Sequence, residues 1–234
     1  MSSSKPIAVI VGVGDGLSAS VARALAPAYE LVLAARTMDK VAAVAEQVNG
    51  RAHVCDGTDA KAVGELFASL RAPPRVVVYN PSRRLPGPIT ELDPEEVRRA
   101  VEVTAFGSFV VGQAAARAML SAPPDDKGVR GTILFTGASA GVKGFPRSTP
   151  FAMGKFAQRG LSEAMSRELH PQGIHVAWVN IDGAIRSAGR PDPSDAPDST
   201  LDPDAIAANY VNLINQDRST WSAELAIRPW VERW

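Results

Sequence analysis

Apolar residues recur along the chain in short unbroken runs, separated by longer stretches in which they return every three or four positions. The runs cover residues 7–13 (IAVIVGV), 30–35 (ELVLAA), 52–55, 75–79 (RVVVY), 132–136 (TILFT), 174–179 (IHVAWV) and 224–227. Continuous rather than alternating hydrophobicity predicts strands buried on both faces. The stretches between them predict helices over 17–25, 39–48, 59–70, 94–119, 151–169 and 203–215. The helix over 94–119 is the best marked: Asp93 stands at its N-cap, Pro94 opens its first turn, and Glu95 and Glu96 meet the positive end of its dipole. The alternation predicts an α/β fold, a doubly wound parallel sheet of about seven strands with helices on both faces. No internal repeat interrupts it, and 1–234 reads as one domain.

Two segments break the pattern. Residues 121–131 (SAPPDDKGVRG) read as a polar turn. Residues 186–204 (RSAGRPDPSDAPDSTLDPD) are dense in Pro, Asp and Ser, too polar to pack and too long for a simple connection. Their place directly after the sixth strand makes a lid over a substrate site the favoured reading.

The first strand turns into the first helix through Gly12, Val13, Gly14, Asp15, Gly16 and Leu17. Glycines at this point let the backbone approach a pyrophosphate, and the helix directs its N–H groups at the phosphates. The fold expectation therefore sharpens to a Rossmann-type dinucleotide-binding domain. An acid at the tip of the second strand would bond a ribose 2′-hydroxyl and repel a 2′-phosphate. The chain has Ala34 and Ala35 there, then Arg36 and Thr37. A guanidinium suits a 2′-phosphate, so NADP(H) is expected in preference to NAD(H).

Lys+Arg and Asp+Glu number 25 each among 234 residues, which gives no support for a nucleic-acid or membrane-surface partner. The single cysteine, Cys55, is expected to be a buried small hydrophobe. The run 7–13 is too short for a signal peptide or a bilayer span, so a cytoplasmic location is expected.

Over nearly its whole length the chain resembles the short-chain dehydrogenase/reductase family. The glycine turn is similar to that family's Thr-Gly-x-x-x-Gly-x-Gly, with Val11 for the threonine, Gly12 and Gly16 kept, and Ser18 for the last glycine. Asp56-Gly57-Thr58 resembles the segment whose aspartate meets the adenine. Tyr79-Asn80-Pro81-Ser82 stands where the family has Asn-Asn-Ala-Gly. Asn180-Ile181-Asp182-Gly183 resembles its Pro-Gly turn, after which Ile185 and Ser187 fall where main chain and a threonine hold the cofactor. The resemblance also implies a homodimer or homotetramer, built through the helices over 94–119 and 151–169.

The same resemblance assigns four catalytic positions. Counting its spacing, the serine place holds Ala138, the tyrosine place Phe151, the asparagine place Thr104, and only the lysine, Lys155, is kept. A phenylalanine has no proton to give and an alanine no hydrogen bond to offer. A general acid contributes roughly 10²–10⁴ in rate, and an oxyanion donor roughly 10²–10³. Ordinary carbonyl reduction is therefore not expected unless other groups substitute. Ser139 adjoins the empty serine place but faces away if the strand end is extended. Ser148 and Thr149 could face the cleft, and Tyr79 lies near the cofactor by topology; structural roles are favoured for all four. His53, His170 and His175 are not placed for catalysis or metal binding.

Three readings stay open. The first is an oxidoreductase whose acceptor is already cationic, such as an iminium, or whose proton comes from substrate or water. The second is a dinucleotide-binding sensor, scaffold or partner without turnover. The third is a non-redox enzyme, which the glycine turn, Arg36, Asp56 and Lys155 argue against. Trp230 and Trp234 near the C-terminus are candidates to seal a subunit contact or the substrate pocket.

Overall fold

The computed structural model describes residues 5–231. The apolar runs become β1 (Ile7–Val11), β2 (Glu30–Ala35), β3 (Arg51–Val54), β4 (Val76–Tyr79), β5 (Gly131–Thr136), β6 (Ile174–Ile181) and β7 (Glu224–Ile227). They form one seven-stranded sheet in the order β3-β2-β1-β4-β5-β6-β7, and every pairing is parallel. The chain steps outward from β1 to β3, then returns to lay β4 on the other side of β1. That reversal opens a crevice at the carboxyl ends of β1 and β4, where open α/β sheets bind ligands.

The helices are α1 (Leu17–Leu25), α2 (Met38–Gln47), α3 (Ala60–Ala68), α4 (Pro94–Val101), α5 (Gly107–Leu120), α6 (Thr149–Leu169) and α7 (Pro203–Ile214). Asp59, Asp93 and Asp202 cap α3, α4 and α7 by accepting backbone N–H groups. Successive strand residues face opposite sides, so the sheet splits the core in two. Ala8, Ile10 and Leu33 pack under α1, α2 and α7; Val9, Val11, Val77 and Ile133 pack under α3, α5 and α6. The doubly wound parallel architecture agrees with the sequence. Burial on both faces does not hold for β3 and β7, which have only exposed and half-buried positions. They are the two edges of the sheet, and an edge strand lacks one neighbour's cover. Cys55 is buried, and burial, then Asp56 and Asp59, push its thiol up to about 11.

The helix expected over 94–119 is not uniform. A π-helical turn, Glu102–Phe106, separates α4 from α5. The N–H of Gly107 donates to the Glu102 carbonyl. The Val103 carbonyl instead accepts the Tyr79 hydroxyl at 2.5 Å. A Cβ on Gly107 would stand 2.2 Å from that hydroxyl oxygen, so only glycine leaves the tyrosine room. The whole helix, Pro94–Leu120, is long and apolar enough to cross a membrane by length and composition alone. Its Ala100, Thr104, Val111, Ala115 and Met119 are nonetheless buried within the fold.

The segment 186–204 is mostly exposed but internally tied. Arg186 lies 3.2 Å from Asp198, 3.5 Å from Asp202 and 3.7 Å from Asp192. Its guanidinium also donates to the Thr200 carbonyl. Asp192 accepts from the N–H groups of Asp198 and Thr200. A polar segment thus orders around one arginine rather than around apolar contacts. Ile185 bridges to Leu201 and fixes its ends.

Candidate functional site

A cleft of about 1020 Å³ opens where the sheet reverses, lined from β1, β2 and β4 and the loops that follow them. Gly12, Gly14, Asp15, Arg36, Thr37, Asp56, Gly57, Asn80, Pro81 and Ser82, all expected at the cofactor, line it. Gly12 takes φ +86°, and a Cβ there would lie 2.6 Å from Pro81, so both conformation and crowding demand glycine. A Cβ at Gly14 or Gly16 would meet nothing within 4 Å, so the turn presents bare backbone to open space. Gly16 occupies the N-cap of α1 without lining the cleft. The Ser18 hydroxyl donates to the Gly12 carbonyl at 2.9 Å and accepts the Asn80 amide at 2.7 Å. A serine in the last glycine place therefore ties the β1 turn to the β4 loop.

Arg36 sits exposed on the rim of this cleft beside Lys40, and neither forms an ion pair among the described residues. Lys40 carried no motif and was not singled out in the sequence. Asp56 accepts from the N–H and hydroxyl of Thr58, which orients its carboxylate at the cleft wall. Tyr79 reaches the cleft floor, but its hydroxyl is committed to Val103 and burial holds it well above the usual phenol range. It is a structural donor, as favoured.

The cleft continues into a smaller pocket of about 420 Å³. Leu17, Ala138, Phe151, Lys155 and Ile185 line it, as does Ser139. The chain leaves extended geometry at Ala138 for a 3-10 turn, Ser139–Gly141, so the strand alternation that would turn Ser139 away does not apply. Ser148, Thr149 and Ser187 are not among its lining residues. Ser187 instead pairs with Arg190 through main-chain bonds. Thr104 is fully buried behind the pocket, packed against Gly154 of α6.

Lys155 is the group whose setting the sequence least reveals. It is 2% exposed. Its Nζ donates to the Thr136 carbonyl at 2.5 Å and to Gln158 Oε1 at 3.2 Å. Gln158 in turn accepts the Trp178 indole N–H at 3.3 Å and donates to the Thr104 carbonyl at 3.4 Å. A side-chain amide thus spans the gap between the lysine and the π turn. Burial first, then the nearby Arg84 charge, push the amine down to about 7. Both groups lie near the Phe151 ring, with Arg84 4.7 Å and Lys155 5.9 Å from its centroid. Arg84 and Gln158 were both missed in the sequence. Neither belongs to a motif, and only the fold brings them to Phe151 and Lys155.

His170 and His175 lie elsewhere, at the amino end of β6, where both rings pack on Trp221. Among the described residues no cluster of three metal-ligating side chains occurs. Trp230 is 79% exposed and lines neither the cleft nor the smaller pocket; Trp234 lies outside the described residues.

A family model described as short chain dehydrogenase matches residues 6–190. Among curated proteins, a very-long-chain 3-oxoacyl-CoA reductase of Meyerozyma guilliermondii is 30% identical over 185 residues, covering 74% of this chain and 54% of its own. The chain spans about half the length of the first curated relatives it matches. A short-chain dehydrogenase structure from Rhodopseudomonas palustris is 29% identical, with TM-score 0.80 over 96% of this chain and 99% of that one. A metagenomic short-chain oxidoreductase solved with NADP is 25% identical, with TM-score 0.80 over 97% and 98%. Sequence and architecture agree over the glycine turn, the crevice and the lysine helix, and the chain belongs to the short chain dehydrogenase family.

Proposed function

We propose that the protein is a cytoplasmic NADP(H)-preferring oxidoreductase whose hydride-transfer step does not use a side-chain acid at the tyrosine place. The observation that carries this reading is one continuous cleft, running from two unpaired cations at the β2 tip to a buried lysine beside Phe151. The bare glycine turn and open crevice fit a pyrophosphate. Arg36, supported by Lys40, would hold a 2′-phosphate. Asp56 and Gly57 would meet the adenine end, and Asn80, Pro81 and Ser82 the middle of the cofactor. Lys155 lines the smaller pocket and donates twice inward; in its ammonium form a third N–H is left for the ribose hydroxyls, and in its neutral form a lone pair that accepts from one. Main chain at Ile185 would bond the carboxamide, with Ser187 at the lid base. When bound, NADP(H) supplies the hydride. Phe151 contributes an apolar wall that excludes water, and the proton comes from the substrate or from solvent.

The relatives' activity as dehydrogenases and reductases supports turnover over a purely binding role. Exposed Phe106 and Phe109 on the α5 side and Met153 and Phe156 on α6 supply an apolar face for a second copy of the chain.

The test is a fluorescence titration with NADPH and NADH. Wild type binds NADPH more tightly. Arg36→Asp weakens NADPH by about ten-fold or more, the loss of a charge-assisted bond worth about 1.5–3 kcal/mol, and favours NADH. The Phe151→Tyr, Ala138→Ser double variant gains carbonyl turnover by about 10²-fold or more. Binding of neither nucleotide, or no response to Arg36→Asp, refutes the reading. Cofactor binding without turnover of any carbonyl by the wild type would restrict it to a binding role.

A further inference from the structure

The smaller pocket carries Arg84, Lys155 and Arg190 in its lining and no aspartate or glutamate. Arg84 and Arg190 are both exposed and form no ion pair among the described residues. The nearest acid in sequence to the pocket wall, Asp182, is spent on Lys143 at 3.8 Å and Arg228 at 3.5 Å. Elsewhere Arg23, Arg71, Arg75, Arg83, Arg98, Arg99, Arg159, Arg167 and Arg186 pair with carboxylates, whereas Arg36, Arg51, Arg117, Arg130, Arg147 and Arg218 form no ion pair among the described residues. What sets this pocket apart is that two unpaired guanidiniums share one lining that holds no carboxylate.

Arg84 is also held. Its guanidinium carbon lies over the Phe151 ring, 4.7 Å from the centroid, a cation–π contact that leaves the N–H donors free for an anion. The rest of the wall is mixed: Leu17, Phe151, Ile181, Ala184 and Ile185 are apolar, while Asn80, Ser82, Thr136 and Ser139 add neutral polar groups. A pocket with apolar and neutral polar walls, an unpaired guanidinium and no carboxylate is complementary to a small organic anion, with its carboxylate on the guanidinium fork. The same charges repel a cationic acceptor.

We infer that this pocket binds the carboxylate of a small organic acid through Arg84, with Arg190 closing over it from the lid, so that the substrate is an anionic alcohol or carbonyl compound. This rests on the oxidoreductase reading for the word substrate, but the anion site stands on the pocket alone. The other source of the same chemistry is the cofactor's own diphosphate.

The experiment is a calorimetric titration with acetate, propionate, benzoate and cyclohexanecarboxylate, each against its neutral amide, with and without saturating NADPH. At least one acid binds the NADPH complex about ten-fold or more tightly than its amide, as one charge-assisted fork implies. Arg84→Ala abolishes that preference while NADPH affinity holds, Arg84→Lys restores part of it, and Arg190→Ala weakens it. Equal affinity for every acid and its amide overturns the inference. So does NADPH displacing the acid, or Arg84→Ala weakening NADPH to the same degree, since the cations would then serve the diphosphate. If NADPH fails to bind but the Arg84-dependent acid preference persists, the cofactor reading falls and the anion site stands.

Discussion

Lys155→Met tests whether the buried amine is held near neutrality by its surroundings. In the folded chain the amine sits near 7, because burial penalises its charged form and Arg84 repels it. In the unfolded chain a lysine titrates near about 10.4. Between those values the unfolded chain binds a proton that the folded chain does not, so stability rises with pH across this window. Integrated from pH 7 to pH 9, the difference is about 2 kcal/mol in favour of the folded state. For a chain of this size that is about 4–8 °C in Tm. Methionine keeps the length and apolar stem and removes the titration. It leaves the Thr136 carbonyl without its lysine donor, which costs about 1–3 kcal/mol at every pH. Absolute stability is therefore a poor readout and the slope a good one. The assay is urea unfolding followed by circular dichroism at pH 7, 8 and 9. Cys55, whose thiol is raised to about 11 in the folded chain, adds a slope of opposite sign above its unfolded pKa. It does so in both proteins and cancels in the comparison. Wild type gains about 2 kcal/mol over Lys155→Met between pH 7 and pH 9. Parallel pH profiles for the two proteins would refute the reasoning, because the amine would then be charged in the fold as it is in solution.

Gly107→Ala forces a methyl against the Tyr79 hydroxyl. It should displace that donor from the Val103 carbonyl and lower stability by about 1–3 kcal/mol, read by calorimetry, while Tyr79→Phe alone keeps the packing and loses less. Phe109→Glu with Phe156→Glu places charge on the exposed α5 and α6 face and should convert a dimer or tetramer to monomer by light scattering at unchanged helicity; a wild type that is already monomeric removes the subunit proposal.

The alternation of apolar runs and helical stretches determined the sheet, because a parallel strand covered on both faces has to be apolar throughout. That is why 30–35 matches β2 at both ends; 224–227 also matches β7, although that edge strand is only part buried. The glycine turn was legible for a similar reason: Gly12 adopts a backbone that other residues avoid. Loss of the serine and tyrosine was equally legible, since Ala138 and Phe151 have no polar atoms on their side chains to offer. Tertiary structure decided the rest. The π turn depends on a hydroxyl 24 residues earlier in the chain. The order within 186–204 depends on Arg186 reaching carboxylates at Asp192, Asp198 and Asp202. The resemblance marks Lys155 as the kept lysine, but its burial beside Gln158, which Trp178 holds in turn, follows only from the packing of α6 on the sheet. Arg84 acquires meaning only when the β4 loop lays it over Phe151. Local pattern fixes which residues must leave water, whereas the charge state of a buried amine and the partner of a guanidinium depend on what folding brings within a few ångströms, and sequence spacing does not encode that distance.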